Sequence, residues 1–252
     1  AQLSPKLTPR TKAIIVVHAF GHAARMDEIM ELAEENGLPV IEDAAEAPGA
    51  RYKDRMLGSF GVMSCYSFFG NKIITTGEGG VVLTSDGVLK DKLEMLRDHG
   101  MSKERRYHYS QVGFNYRMTN LQAAIGVAQL ERLPEILERR RAQEKAYEDA
   151  LGDSPLYAFR PKQDWCETVH WMMTLTLSRE GLRDGLIDHL KGEGIDSRQM
   201  VFPVHLAAPY RDENQHDSFP VAEGISLNSI HLPSSLDLTQ EQIEFISDVV
   251  KR

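Results

Sequence analysis

Residues 64–83 read SCYSFFGNKIITTGEGGVVL. Two apolar, aromatic-rich runs, 65–69 and 80–83, flank a polar bend that carries one lysine, Lys72, with Gly77, Gly79 and Gly80 close behind it. Apolar runs bounded by glycine are strand signals, so this lysine is expected in a tight strand–loop–strand turn. An ammonium is costly to desolvate, and burial between strands makes an amine a usable nucleophile. Taken alone, the stretch fits a surface lysine on a hairpin loop more simply. The residues upstream change that balance.

Residues 13–18 (AIIVVH) form a continuous apolar run, the pattern of a strand buried on both faces. Residues 27–36 read as a helix, with Met26, Ile29, Met30 and Ala33 at three- and four-residue spacing and Gly37 at the C-cap place. A second apolar strand, 38–41, runs into Glu42, Asp43, Ala44 and Ala45. Strand, helix and strand in such close succession make a βαβ unit, with parallel strands and a right-handed crossover. Ligands of such sheets lie beyond the carboxyl ends of the strands, where Asp43 and Glu46 fall.

Downstream of residue 83, residues 87–98 are helical, and 100–113 are polar and irregular, with Lys103, Arg105, Arg106 and His108 clustered. A solvated loop is the simpler reading of that cluster, and an anion-binding lid the alternative. Thr119 and Gln122 form a capping-box pattern that opens a helix with Leu121, Ala124, Ile125 and Ala128 on one face. Pro134 should end that helix and start another, which runs to about residue 151. This second helix is rich in Glu and Arg and reads as a largely solvated connector. From residue 154 the pattern is α+β: a strand over 169–177, a helix over 181–191 stopped by Gly194, and an extended segment over 195–200. A last helix over 239–250 opens on a second capping box, Thr239 to Gln242. Two domains are expected, 1–130 and 131–252.

Composition narrows the function classes. A net charge of -8 argues against a nucleic-acid partner or an anionic membrane surface, though not against a locally basic pocket. The two cysteines, Cys65 and Cys166, show neither metal-ligand nor redox spacing and read as buried thiols of a reducing compartment. No apolar run approaches membrane-spanning length and the first residues carry no signal-peptide pattern, so a cytoplasmic protein is expected. A Rossmann nucleotide site is set aside, because the turn after the first strand, His18-Ala19-Phe20-Gly21-His22, lacks G-x-G-x-x-G.

Asp43 and Lys72 together have a chemical logic. Pyridoxal phosphate (PLP) takes a lysine as its resting Schiff-base partner and an acid opposite its ring nitrogen to keep that nitrogen protonated. The displaced lysine then serves as general base and acid. Spacing alone leaves open that Asp43 caps a loop.

The motifs carry a resemblance. Glu42-Asp43-Ala44-Ala45-Glu46-Ala47, Ser67-Phe68-Phe69 with Asn71-Lys72 and Gly77-Glu78-Gly79-Gly80, and Val112 through Asn120 (VGFNYRMTN) resemble signature segments of the DegT/DnrJ/EryC1/StrS sugar aminotransferases. So do Val201-Phe202-Pro203-Val204-His205-Leu206 and Leu232-Pro233-Ser234-Ser235, and the matches run in family order across nearly the whole chain. Glu46 and the GFNYRMTN wording are most similar to the perosamine-forming branch.

The resemblance implies an α/β fold of the aspartate-aminotransferase-like PLP class. That means a three-layer, parallel-rich domain, incomplete at its N-terminus, followed by a smaller α+β C-terminal domain. It implies PLP as cofactor and amino transfer from an amino acid such as glutamate to a nucleotide-linked 4-keto-6-deoxy sugar. Carried over by match, Lys72 would hold PLP and shuttle the proton, Asp43 would pair with the ring nitrogen, and Glu46 would sit near the ring hydroxyl. Ser67 would bond the phosphate, and Asn115 the phosphate of a neighbouring subunit's cofactor, which implies a homodimer with shared active sites. His205 is a candidate substrate contact, with a loop histidine of no catalytic duty as the alternative.

Dehydratase relatives replace the lysine with histidine, so Lys72 argues against dehydration. The family normally has a substantial section before the point where this chain begins, holding further strands, a ring stacked on the cofactor and the rest of the phosphate site. A truncated member is therefore expected, and a catalytically incompetent paralogue that keeps the dimer surface stays open as the alternative.

Overall fold

The computed structural model describes residues 2–210 and 218–252. In chain order its first elements are β1 (Ile14–Val17), α1 (Met26–Glu35), β2 (Val40–Asp43), β3 (Arg51–Tyr52), β4 (Arg55–Met56), β5 (Met63–Ser67) and β6 (Gly80–Leu83). Helices α2 (Gly87–Arg97), α3 (Asn120–Glu131) and α4 (Leu133–Leu151) follow. Then come β7 (Tyr157–Phe159), β8 (Cys166–Glu167), β9 (Met173–Leu177), α5 (Leu182–Gly192), β10 (Arg198–Gln199), α6 (Pro220–Asn228), β11 (Ser229–Leu232) and α7 (Gln240–Lys251). The chain divides into two compact units. The first comprises residues 1–137 and 163–171, the second 138–162 and 172–252.

In the first unit, β1, β2 and β5 run parallel and β6 closes the edge antiparallel to β5, in the order β1-β2-β5-β6. Helix α1 is the crossover between β1 and β2. It ends as its sequence dictates: Gly37 takes φ +60°, its N–H reaches Glu34 O at 3.1 Å, and Leu38 N–H reaches Ala33 O at 2.8 Å. That double closure is a Schellman motif, which needs a residue free to be left-handed after the helix. A small antiparallel sheet, β4-β3-β8, brings the 163–171 segment back to this unit.

Four expectations need correction. β1 is not buried on both faces, since Ile15 and Val17 are 66% and 57% exposed while Val16 is buried. Nor is β6 buried, because Val82 and Leu83 are exposed. In β1 the alternation of the pleat puts Ile15 and Val17 on a face that no element of the described chain covers, and the edge strand β6 is exposed at both Val82 and Leu83, on opposite faces. Leu121, Ile125, Val127 and Leu130 of α3 are likewise exposed, and Gly126 is the buried residue of that helix. The strand expected over 169–177 is only Met173–Leu177, since residues 169–171 belong to the first unit.

The second unit is an antiparallel sheet, β10-β11-β9-β7, packed with helices. Its core contains Tyr147, Leu175, Leu190, Ile230 and Val249, all fully buried. α4 is more than the solvated connector its charge suggests, because Arg140, Tyr147 and Leu151 are buried along its length. Tyr147 donates to Pro233 O at 2.9 Å and Arg140 to Ser234 O. Burial pushes the Tyr147 hydroxyl pKa up and the Arg140 guanidinium pKa down. No helix among the described residues is long and apolar enough to cross a membrane.

Candidate active site

The carboxyl ends of β1, β2 and β5 converge because the strands are parallel and in register, Val17 beside Asp43 and Asp43 beside Cys65. Asp43 is the last residue of β2. Its Oδ1 accepts from Ala45 N–H at 3.1 Å, an Asx turn that redirects the chain, and from Cys65 Sγ at 3.6 Å. Burial pushes the Cys65 thiol up and the Asp43 carboxylate adds to the shift, so the thiol stays neutral and donates. No protein partner for Asp43 Oδ2 is found among the described residues.

Ser67 closes β5, and its hydroxyl oxygen accepts from Phe69 N–H at 3.2 Å. That leaves its proton for another acceptor. The following turn is braced from within. Lys72 N–H reaches Phe69 O at 3.0 Å, Thr76 N–H and the Thr75 hydroxyl both reach Phe68 O at 3.0 Å, and Phe68 N–H reaches Gly79 O at 2.9 Å. Ile73 and Ile74 are buried, which fixes Lys72 beside them.

The Lys72 side chain is 13% exposed, and its Nζ lies 3.2 Å from Glu46 Oε1. The other oxygen of Glu46 accepts Phe20 N–H at 2.7 Å. Lys72, Glu46, Asp43 and Ser67 thus all stand on the ends of the parallel strands or on the turns that leave them. Asn115 is placed in the first unit at a bridge with Asp98, and its Oδ1 accepts from Arg117 Nε at 3.3 Å. His205 is in the second unit, 3.0 Å from Glu223 Oε1 and edge-on to Phe219. The Asn71-Lys72 turn, the Glu46 carboxylate and the open faces of Asp43 and Ser67 form the cluster. Asn115 and His205 are engaged elsewhere.

Sequence reading did not reach two groups. Trp171 lies with its ring centroid 3.9 Å from Lys72 Nζ. It is far away along the chain, and nothing local signals the contact. His18 and Glu42 are both fully buried and joined at 3.1 Å. A histidine closing an all-apolar strand was the visible sign of that pair.

The donor set fits PLP. It offers a held primary amine, a carboxylate oxygen left open for a protonated ring nitrogen, and a hydroxyl proton left open for a phosphate.

The sequence pattern of the DegT/DnrJ/EryC1/StrS aminotransferase family matches residues 1–251, and the chain belongs to that family. GDP-perosamine synthase of Caulobacter vibrioides is 45% identical over 248 residues, 97% of this chain and 66% of that protein. GDP-perosamine synthase of Escherichia coli O157:H7 is 38% identical, over 99% of this chain and 68% of that one. The chain therefore spans about two thirds of the length of the curated relatives it matches.

Among solved structures, Streptomyces venezuelae DesV in complex with a ketimine intermediate superposes with a TM-score of 0.90 at 34% identity, covering 99% of this chain and 67% of DesV. Helicobacter pylori PseC, an aminotransferase of pseudaminic acid biosynthesis, superposes with 0.92 at 25% identity, over 99% of this chain and 68% of PseC. The fold is that of the sugar aminotransferases.

Proposed function

We propose that the chain carries the lysine half of a PLP-dependent aminotransferase site. The reaction moves an amino group from an amino acid, glutamate by preference, to a nucleotide-linked 4-keto-6-deoxy sugar in polysaccharide or other cell-surface sugar biosynthesis. The GDP-perosamine synthases among its relatives support a GDP-linked sugar and perosamine as product. The observation that carries the reading is Lys72 Nζ, held 3.2 Å from Glu46 in the turn that leaves β5, beside the strand that ends in Asp43.

PLP, when bound, supplies an electron sink for the carbon next to the migrating nitrogen. The chain's residues do the rest. Lys72 would hold the cofactor at rest, and its free amine would serve as the base and acid that takes a proton from the substrate carbon, holds it on Nζ and returns it. Asp43 Oδ2 presents a negative acceptor that keeps a ring N–H in place, and the Ser67 hydroxyl donates to a phosphate oxygen. Glu46 orients the amine through one oxygen while Phe20 N–H fixes the other. Asn115 keeps its amide N–H pair for a phosphate, and in this reading that phosphate belongs to a second copy's cofactor.

A homodimer with shared sites follows from that assignment. The exposed apolar side chains of β1, β6 and α3 support burial against further protein. His205 is assigned to substrate contact. The Cys65 thiol and a nucleotide-sugar substrate support a cytoplasmic setting.

The test is the visible absorption spectrum of the chain with added PLP, before and after borohydride reduction, beside Lys72→Ala. A band that reduction fixes to Lys72, and that the variant lacks, is expected. Nucleotide sugars are then screened with glutamate as donor. A folded chain with no band would show that the cofactor needs protein beyond these residues, and would favour the incompetent-paralogue reading.

A further inference from the structure

Lys72 Nζ is approached from two sides. One is the Glu46 carboxylate, and the other is the face of the Trp171 indole, 3.9 Å from Nζ to ring centroid. Trp171 is itself buried, at 7% exposure, and its Nε1–H donates to Asn71 O at 2.6 Å. The ring therefore covers the ammonium and also bonds the backbone of the residue next to it. Phe20 stacks on the indole with centroids 5.7 Å apart and planes 24° apart, and the same residue's N–H holds Glu46. One tryptophan thus ties together the lysine, the turn that presents it and the loop that orients its counter-ion.

The segment that brings Trp171 here is anchored for that purpose at several points. β8 pairs with β3, Arg51 against Glu167 and Tyr52 against Cys166. Val169 N–H reaches Gly21 O at 3.4 Å, Cys166 Sγ accepts Ala23 N–H at 3.2 Å, and Trp171 N–H turns back to Val169 O at 2.9 Å.

An ammonium over an indole face is attracted by the ring quadrupole, most strongly when both are shielded from water. A lysine that alternates between a bonded and a free state has four rotatable stem bonds, and its free amine would otherwise sweep a wide volume.

We propose that Trp171 is a positioning residue for Lys72. The indole face holds the amine in place whenever it is not bonded to a cofactor, and the Asn71 bond keeps the presenting turn in register. The proposal rests on the reading of Lys72 as the cofactor lysine, but the contact it invokes exists in the cofactor-free chain and is tested there.

The experiment is limited reductive methylation of the cofactor-free chain with formaldehyde and cyanoborohydride, with the rate at each lysine read by peptide mass spectrometry. Lys53, Lys90 and Lys145 serve as references. Trp171→Leu is expected to raise the Lys72 rate relative to the references about five-fold. Trp171→Phe, which keeps a ring face, should raise it less than about two-fold. An unchanged ratio, or an equal rise at all lysines, would overturn the proposal.

Because Trp171→Leu can fail to fold, a second measurement uses the fluorescence of Trp171 alone in a Trp165→Phe background. Removing the ammonium with Lys72→Met should change its emission intensity, and unaltered emission would also overturn the contact. Adding PLP and borohydride to the parent chain separates the two ideas. Capture at Lys72 with an unmoved methylation ratio sinks the positioning role and leaves the cofactor reading standing. A shifted ratio without capture upholds the contact between Trp171 and Lys72 and shows that cofactor binding needs protein beyond these residues.

Discussion

Glu42 accepts a hydrogen bond from His18 Nε2 at 3.1 Å, with both side chains at zero exposure. The same carboxylate takes the N–H groups of Gly58 at 2.7 Å, Phe60 at 2.6 Å and Gly61 at 2.8 Å. Ala24 N–H donates to His18 Nδ1 at 3.3 Å, so the ring proton sits on Nε2 and points at Glu42. One buried anion thereby ties the end of β1 and the 58–61 loop to β2. Glu42→Gln should destabilise the chain by about 2–4 kcal/mol in urea unfolding, because an amide N–H pair then faces groups that are themselves donors.

The pH dependence follows from the same group. Burial pushes the Glu42 acid up, but His18 and the N–H groups of Gly61, Gly58 and Phe60 outweigh it and leave its pKa below the ordinary 4.5. A depressed folded-state pKa contributes stability above the unfolded value, and that stability is lost as pH falls through the folded one. Unfolding free energy should therefore decline as pH drops below about 4.5, and the decline should be shallower in Glu42→Gln. Equal slopes in the two proteins would show that other carboxylates carry the acid transition.

What the sequence made legible was local. The βαβ unit, the Gly37 stop, both capping boxes, and the positions of Asp43 at the end of β2 and Lys72 in the turn after β5 follow from period, caps and turn residues within short windows. Burial was less legible. The AIIVVH run looks like a strand covered on both sides, yet covering depends on what packs there, and Ile15 and Val17 are exposed. α4 erred in the other direction, since its Glu and Arg content hid the buried positions Arg140, Tyr147 and Leu151. The site residues that escaped notice, Trp171 above all, reach Lys72 by a chain reversal with no local signature.

Gly21 occupies φ +77°, and a Cβ there would lie 2.4 Å from Val169 Cγ2 and 2.6 Å from Val169 O. Glycine is required here for both conformation and space, since the 163–171 segment passes directly over it. Gly21→Ala should cost about 3 kcal/mol. Gly152→Ala is the control: φ is +65° but nothing lies within 4 Å, so only the backbone cost of about 1 kcal/mol remains. Thermal unfolding of the two variants side by side measures the difference, and equal losses would mean that the close approach to Val169 relaxes freely.

Thr239 accepts Gln242 N–H at 3.3 Å and its own N–H reaches Gln242 Oε1 at 2.9 Å, closing the capping box of α7. The helix buries Ile243, Ile246 and Val249. Thr239→Ala should cost about 1 kcal/mol. The loss should appear as faster hydrogen exchange in the first turn of α7, with the last turn little changed.

Asp43→Asn separates the two duties of that side chain. An asparagine Oδ1 keeps the Ala45 N–H bond, so the Asx turn at the end of β2 survives. The other oxygen becomes an N–H pair, which offers a donor where a protonated ring nitrogen needs an acceptor. The Cys65 thiol beside it supplies no compensating negative charge, because burial, the largest cause of its raised pKa, remains in the variant. With PLP present, the variant should still bond it through Lys72. Its single-turnover reaction with glutamate should slow by about a hundred-fold or more, since the anion that supports the electron sink is gone. Stopped-flow absorbance of that half-reaction in parent and variant gives the ratio. A loss of less than about three-fold would assign Asp43 to the turn alone and leave the ring nitrogen to another partner.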